Sequence, residues 1–335
     1  MKKSLYFITF VPFVFMLSAC MKASDCFRED VFCAGLVTDV LGVEDQGINQ
    51  DAWAGLQSAR SEGLLNQADY IESLDTRDYE KNIAYFAEHG YDLIITNGVG
   101  MRDETLRAAS LYPNAVFVGI NQPHEQYPLN LIPITFAEDQ MGFAAGALAA
   151  YISKQQIIGA VCETSGIDSI WRYCEGFRAG ALFVNQQNGS NVEALVLYRD
   201  DGDREKLFLD EAWGYAAAQQ IIQRGADVIF AAGGVTAQGA LRAAIEAGVK
   251  PIGTERNQGA VLPQADSSVV TSIFGNAQFE IQQILRFPDQ PQPAGQIKYA
   301  PFPPKYSQNL MQMMETLLLA LQSGEIKTGV SAQKP

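Results

Sequence analysis

His89-Gly90-Tyr91-Asp92-Leu93-Ile94-Ile95-Thr96-Asn97-Gly98 decides the fold, because the chain writes it twice. Arg224-Gly225-Ala226-Asp227-Val228-Ile229-Phe230-Ala231-Ala232-Gly233 keeps its order of glycine, aspartate, apolar run and closing glycine. Gly90 and Gly225, Asp92 and Asp227, and Gly98 and Gly233 are each 135 positions apart, and Leu106-Arg107-Ala108-Ala109 returns as Leu241-Arg242-Ala243-Ala244 at the same spacing. The next strands, Val118-Gly119-Ile120-Asn121 and Ile252-Gly253-Thr254-Glu255, match at 134. Gly35-Leu36-Val37-Thr38-Asp39 more weakly parallels Gly159-Ala160-Val161-Cys162-Glu163. Within each copy a glycine ends a helix and a short apolar run forms a buried strand. Two such long copies are too few for a solenoid and give two facing lobes.

Working outward, strands are expected over Gly35–Asp39, Ala68–Leu74, Asp92–Thr96 and Ala115–Asn121, with helices over Asp78–His89 and Glu104–Tyr112. The second copy places strands over Ile157–Cys162, Glu193–Tyr198 and Asp227–Ala231 and helices over Trp171–Phe183 and Glu211–Gln223. This alternation defines an α/β chain with two doubly wound parallel sheets. Leu131–Phe136 and Gln296–Ala300 are expected to cross between the lobes, and Phe143–Tyr151 is an Ala-rich helix with a small face for close packing. Ser268–Ile273 reads as a strand, Asn276–Leu285 as a helix, and Asn309–Leu321 as a terminal helix whose Met311, Met313 and Met314 fill core. The lobes are drawn as residues 32–130 plus 256–290, and 131–255 plus 291–330.

The first 19 residues read as a leader: Lys2 and Lys3 precede an apolar run from Leu5 to Leu17, too short for a membrane span. Leu17-Ser18-Ala19-Cys20 resembles a bacterial lipobox, which implies that Cys20 becomes a lipidated first residue on the extracytoplasmic side of a cell membrane. Residues 20–31 are then a tether. The other cysteines, Cys26, Cys33, Cys162 and Cys174, are even in number in an exported chain, so disulfides are expected. Local pairs, Cys26 with Cys33 and Cys162 with Cys174, each flank a single turn or loop. Two histidines and no Cys-x-x-Cys leave little for a metal, and none is expected, nor any cofactor. A formal charge of −14 argues against nucleic acid, whose phosphates an acidic chain repels.

In open α/β sheets ligands bind beyond the carboxyl ends of the strands. The candidate cleft lining is therefore Asp39, Asp45, Asn49, Gly98, Asn121, Gly233, Gly234 and Glu255. Carboxylates and amides orient a small polar ligand, and glycines admit close backbone approach. Gly233-Gly234 before a helix is also a candidate anion site. No Gly-x-Ser-x-Gly, phosphate loop or nucleophile with a neighbouring histidine is present, so an enzyme is not expected.

The segment Asp45 to Gly55, ending Asn49-Gln50-Asp51-Ala52-Trp53-Ala54-Gly55, resembles the opening signature of the basic membrane protein family of solute-binding lipoproteins, which includes purine nucleoside receptors. Tyr112-Pro113, Phe208-Leu209-Asp210, Ala232-Gly233-Gly234 and Ile252-Gly253-Thr254-Glu255 extend the resemblance over most of the chain after the leader. It implies a type I periplasmic-binding fold, a monomer that closes on a purine nucleoside or nucleobase-like solute and delivers it to an ABC permease. It also implies that Asp39 and Asn49 bond the base, that Phe208 stacks on one base face, and that Glu255 holds the ribose hydroxyls. Three positions depart from the family: Ile48 stands for the second stacking aromatic, Asn121 for an aspartate, and Gly275 for a ribose-binding lysine. A sugar or other small polar ligand, or a sensor that docks a signalling receptor, is the alternative.

Overall fold

β1 (Cys33–Thr38) is buried at every residue, as befits a strand covered on both faces. The computed structural model describes residues 25–262, 268–288, 290 and 294–335; the expected leader, Cys20 and the first residues of the expected tether lie outside them. The first sheet is built from β1, β2 (Gln67–Glu72), β3 (Leu93–Asn97), β4 (Val116–Ile120) and β5 (Leu131–Ile134), with α1 (Ile48–Ser61), α2 (Tyr79–Glu88) and α3 (Arg102–Leu111) between strands. All pairings are parallel, in the order β2-β1-β3-β4-β5.

After α4 (Glu138–Ile152) the second run follows: β6 (Ile157–Cys162), α5 (Asp168–Asn188), β7 (Glu193–Tyr198), α6 (Glu211–Gln223), β8 (Val228–Ala232), α7 (Gly234–Glu246), β9 (Lys250–Gly253), the short α8 (Gln258–Val261) and β10 (Thr271–Gly275). These strands stand in the order β7-β6-β8-β9-β10, the same winding as the first sheet, and β11 (Ile297–Tyr299) adds antiparallel to β10. α9 (Ala277–Arg286) and α10 (Gln308–Gln322) complete the chain's helices among the described residues.

The sequence-drawn lobe boundaries shift at two strands. β5, expected to open the second lobe, pairs with β4, and β10, expected in the first, pairs with β9. Each copy closes its sheet with a fifth strand before the chain leaves, which pairs backbone groups that an open β4 or β9 edge would leave free. The helices that follow then change sides: α4 packs on α5 of the second lobe, and α9 packs on α1 of the first.

Small residues make the α4–α5 contact. An added Cβ would lie 1.9 Å from the Tyr173 carbonyl oxygen at Gly142 and 2.0 Å from that of Phe177 at Gly146, so the helices meet backbone to backbone. The crossing segments lie side by side: Thr135 bridges Ala294, the Gly295 N–H donates to the Thr135 carbonyl at 2.8 Å, and the Asn276 N–H donates to the Gln296 carbonyl at 2.9 Å. The Phe136 ring packs between them; an added Cβ on Gly275 or Gly295 would come within 2.2 Å of it.

Disulfides join Cys26 to Cys33 and Cys162 to Cys174. The first ties the described end of the expected tether to β1, and Cys26 and Phe27 lie against Gly90. Residues 25–31 therefore belong to the first lobe's surface, which corrects that part of the tether. Among the described residues no helix is long and apolar enough to cross a membrane.

Candidate functional site

Asp39 leaves the sheet immediately after β1. Its Oδ1 accepts the Leu41 N–H at 3.0 Å and the Asn49 amide nitrogen at 2.8 Å. Asn49 Oδ1 in turn accepts from Asn97 Nδ2 at 2.7 Å, and both asparagines are fully buried. An ionised carboxylate only accepts, so Asn49 must turn its nitrogen to Asp39 and its oxygen to Asn97. The relay therefore has one polarity. The second Asp39 oxygen lies 3.5 Å from the position of a Cβ on Gly98. Burial holds the Asp39 carboxyl above the usual carboxylate range, against the bonds from Asn49 and Leu41.

Asp45 has a different occupation. Its Oδ1 accepts the N–H groups of Gly47 (2.8 Å) and Gln50 (3.1 Å), and its Oδ2 accepts that of Asn49 (3.0 Å). These are donors that the first turn of α1 would otherwise leave unpaired. Burial pushes the Asp45 carboxyl up to about 6, against those three bonds.

The facing wall comes from the second lobe. Glu255 follows β9, and its Oε1 accepts the Gly234 N–H at 3.0 Å. The anion position that Gly233-Gly234 offered at the start of α7 is thus filled by the protein's own carboxylate. Burial pushes Glu255 up to about 7; the Gly234 bond opposes this, and the charges of Asp45 and Asp39 add to it. Phe208 is partly buried, with its carbonyl accepting the Val235 N–H at 2.9 Å.

The repeat survives in the backbone. Asn121 (φ 57°) and Glu255 (φ 66°), partners at the 134 spacing, are both left-handed, as are Gln46 (φ 52°) and Phe208 (φ 64°). Gly98 (φ 95°) and Gly233 (φ 117°) also share positive φ. Non-glycine residues in this region carry strain of ~1–3 kcal/mol each, and such strain clusters at functional sites.

The two walls touch. Gln238 Nε2 donates to the Asp45 carbonyl at 2.7 Å, and Gln258 Nε2 donates to the Gln46 carbonyl at 3.1 Å. A Cβ on Gly47 would meet Asp45 Oδ2 at 3.0 Å and Glu255 Oε2 at 3.2 Å. A Cβ on Gly234 would meet Phe208 Cβ at 3.0 Å and Leu41 Cδ1 at 3.5 Å. Asp39, Asp45, Asn49 and Gly98 thus gather on one side, and Phe208, Gly233, Gly234 and Glu255 on the other. Asn121 ends β4 with its N–H on the Ile134 carbonyl at 2.9 Å and its buried Oδ1 without a protein partner. Ile48 packs partly buried against the core.

Sequence reasoning missed Asn97, Gln238, Gln258 and Arg199. The repeat held a signal for the first: Asn97 stands where the second copy has Ala232, and an amide in place of an apolar strand residue marks a polar duty. Arg199 is 3 % exposed and bonds fully buried Glu163 through Nε at 2.8 Å and Nη2 at 2.7 Å, while Nη1 reaches Asp201 at 2.7 Å. At Gly275, where the resemblance implies a lysine, the Phe136 ring takes the space a side chain would need. No group of His, Cys, Asp and Glu among the described residues could hold a metal ion.

These features define a two-lobed binding protein of the type I periplasmic-binding fold. The chain superposes on an ABC transporter solute-binding protein from Aeropyrum pernix K1 with a TM-score of 0.72 at 20 % identity, covering 88 % of this chain and 92 % of that one. Residues 33–287 match the family model described as "Bmp: ABC transporter substrate-binding protein PnrA-like", and the chain belongs to that family. It is 32 % identical over 206 residues to the ABC transporter nucleoside-binding protein BmpA of Lactococcus lactis subsp. cremoris, a match that covers 60 % of this chain and spans 55 % of that protein's length. It is 27 % identical over 268 residues to basic membrane protein D of Borreliella burgdorferi, covering 78 % of this chain and 73 % of that one.

Proposed function

We propose that this protein is the lipid-anchored, extracytoplasmic binding component of an ABC importer, and that it captures a purine nucleoside or nucleobase-like solute between its lobes. One observation carries the ligand reading. A carboxylate held by an amide relay, Asp39–Asn49–Asn97, stands on one wall, and an aromatic, Phe208, stands beside Gly234 where the other wall meets Leu41. A carboxylate oxygen accepts from ring or exocyclic N–H groups, and an aromatic face stacks on a base. The Lactococcus relative's name points the same way. Cys20 supplies the anchor and a membrane permease the partner.

The Phe136 ring over Gly275 favours a second reading, in which the same cleft takes a sugar or other small polar solute, because Gly275 itself brings no cation for ribose. A thermal-shift panel of nucleosides, nucleobases and sugars separates the two. Binding to the folded state alone raises stability by ~2.7 kcal/mol at a hundredfold excess over Kd. A shift with nucleosides or nucleobases supports the first reading; no shift with any of them, and a shift with a sugar, replaces it with the second. Mass spectrometry of solute carried through purification identifies the ligand directly.

A further inference from the structure

We propose that Gln238 and Gln258 form a clasp on the first-lobe loop and so set how long a bound solute is retained. This rests on the reading that the solute sits between the lobes. Both glutamines are positioning residues, acting through the loop at 39–47.

The loop offers the clasp two consecutive carbonyls, those of Asp45 and Gln46. In an extended chain successive carbonyls point in opposite directions. Gln46 departs from that by taking φ 52°, and both carbonyls accept from the second lobe. The loop is firm where they sit. The Asp45 carboxylate binds three N–H groups at the start of α1, and Asp39 Oδ1 binds the Leu41 N–H.

The donors are equally prepared. Gln258 is 2 % exposed, its N–H donates to Ser272 Oγ at 3.0 Å, and its Nε2 reaches the Thr254 carbonyl at 3.1 Å as well as Gln46. Both Nε2 partners are carbonyls, so the amide has one orientation and no N–H left for a solute. Gly253 makes the room: a Cβ there would come within 2.7 Å of Gln258 Cγ. Gln238 reaches the same loop from α7, a separate element. All four clasp groups are neutral. The bonds neither screen with salt nor titrate, unlike the nearby Asp45 and Glu255 carboxyls.

The test compares the full chain with Gln238→Leu and with the Gln238→Leu/Gln258→Leu double variant. Solution scattering and amide exchange of residues 39–47 are read without solute, and guanosine release is read by stopped flow. Loss of the clasp should enlarge the radius of gyration, speed exchange of the loop and raise the release rate at least tenfold, with association within twofold. Gln238→Lys keeps an N–H donor and should keep slow release. An unchanged radius and unchanged loop exchange in both variants overturn the proposal, as does Gln238→Lys behaving like Gln238→Leu. Should guanosine and every other nucleoside and nucleobase fail to bind the parent protein, the functional reading falls, and scattering and exchange still decide the clasp.

Discussion

The two copies of the α/β unit treat one position in opposite ways. The residue after β1 is Asp39, and its repeat partner after β6 is Glu163. Asp39 is held by an amide and a backbone N–H on one oxygen only. Glu163 is fully buried and pairs through its Oε1 with Arg199, which also grips Asp201 and the Asp203 carbonyl at the start of the loop that leads to Phe208. A duplicated strand end thus provides an amide-held carboxylate in one lobe and a buried ion pair in the other. An arginine neutralises a carboxylate; an amide orients it and leaves its charge in place.

Replacing Arg199 should break this division most severely. Arg199→Met leaves Glu163 buried and unpaired, and we expect a loss of ~3–5 kcal/mol in urea unfolding. The Glu163→Gln/Arg199→Met double variant removes both charges and should recover much of that loss. Asp39→Asn tests the other copy. The new amide still accepts from Asn49 but puts a donor where the second carboxylate oxygen stood, so affinity for a purine that donates there should fall more than tenfold while the unfolding midpoint does not drop. Equal destabilisation by both substitutions would erase the contrast.

Phe208→Ala should weaken nucleoside binding at least tenfold in calorimetry with the fold intact, in line with ~1–3 kcal/mol for base stacking. The smallest expected effect is on pH dependence. Asp45 and Glu255 hold their protons to about 6 and about 7 in the folded chain, against about 4 for both when unfolded. The folded state therefore binds more protons across that window, so these groups' contribution to stability falls as pH rises from about 4 to about 7. Glu255→Gln should flatten the fall in unfolding midpoint between those values.

Much of this was legible in the chain. β7 and α6 have the bounds read from sequence, Glu193–Tyr198 and Glu211–Gln223, because apolar periodicity and local caps such as Asp210, which accepts the Trp213 N–H, act over a few residues. The two disulfide pairs also follow from short spacing. The lobe membership of β5 and β10 was not legible, since an apolar run does not say which sheet edge it will pair with. Asp45 stood out as a polar residue in the right loop, yet whether its oxygens face a solute or the α1 backbone depends on the path of the loop.

By itself the sequence determined that there are two copies of one α/β unit, where their strands end, and which polar residues stand at those ends. Periodicity, turn glycines and a constant spacing are local or repeated signals, and they survive without coordinates. That Asn97 orients Asn49 and that Arg199 pairs with Glu163 came from the tertiary structure alone. It also decided that Gln238 and Gln258 meet carbonyls 193 and 212 positions away. Those are pairings between distant segments, and a hydrogen bond is set by where two groups meet in space.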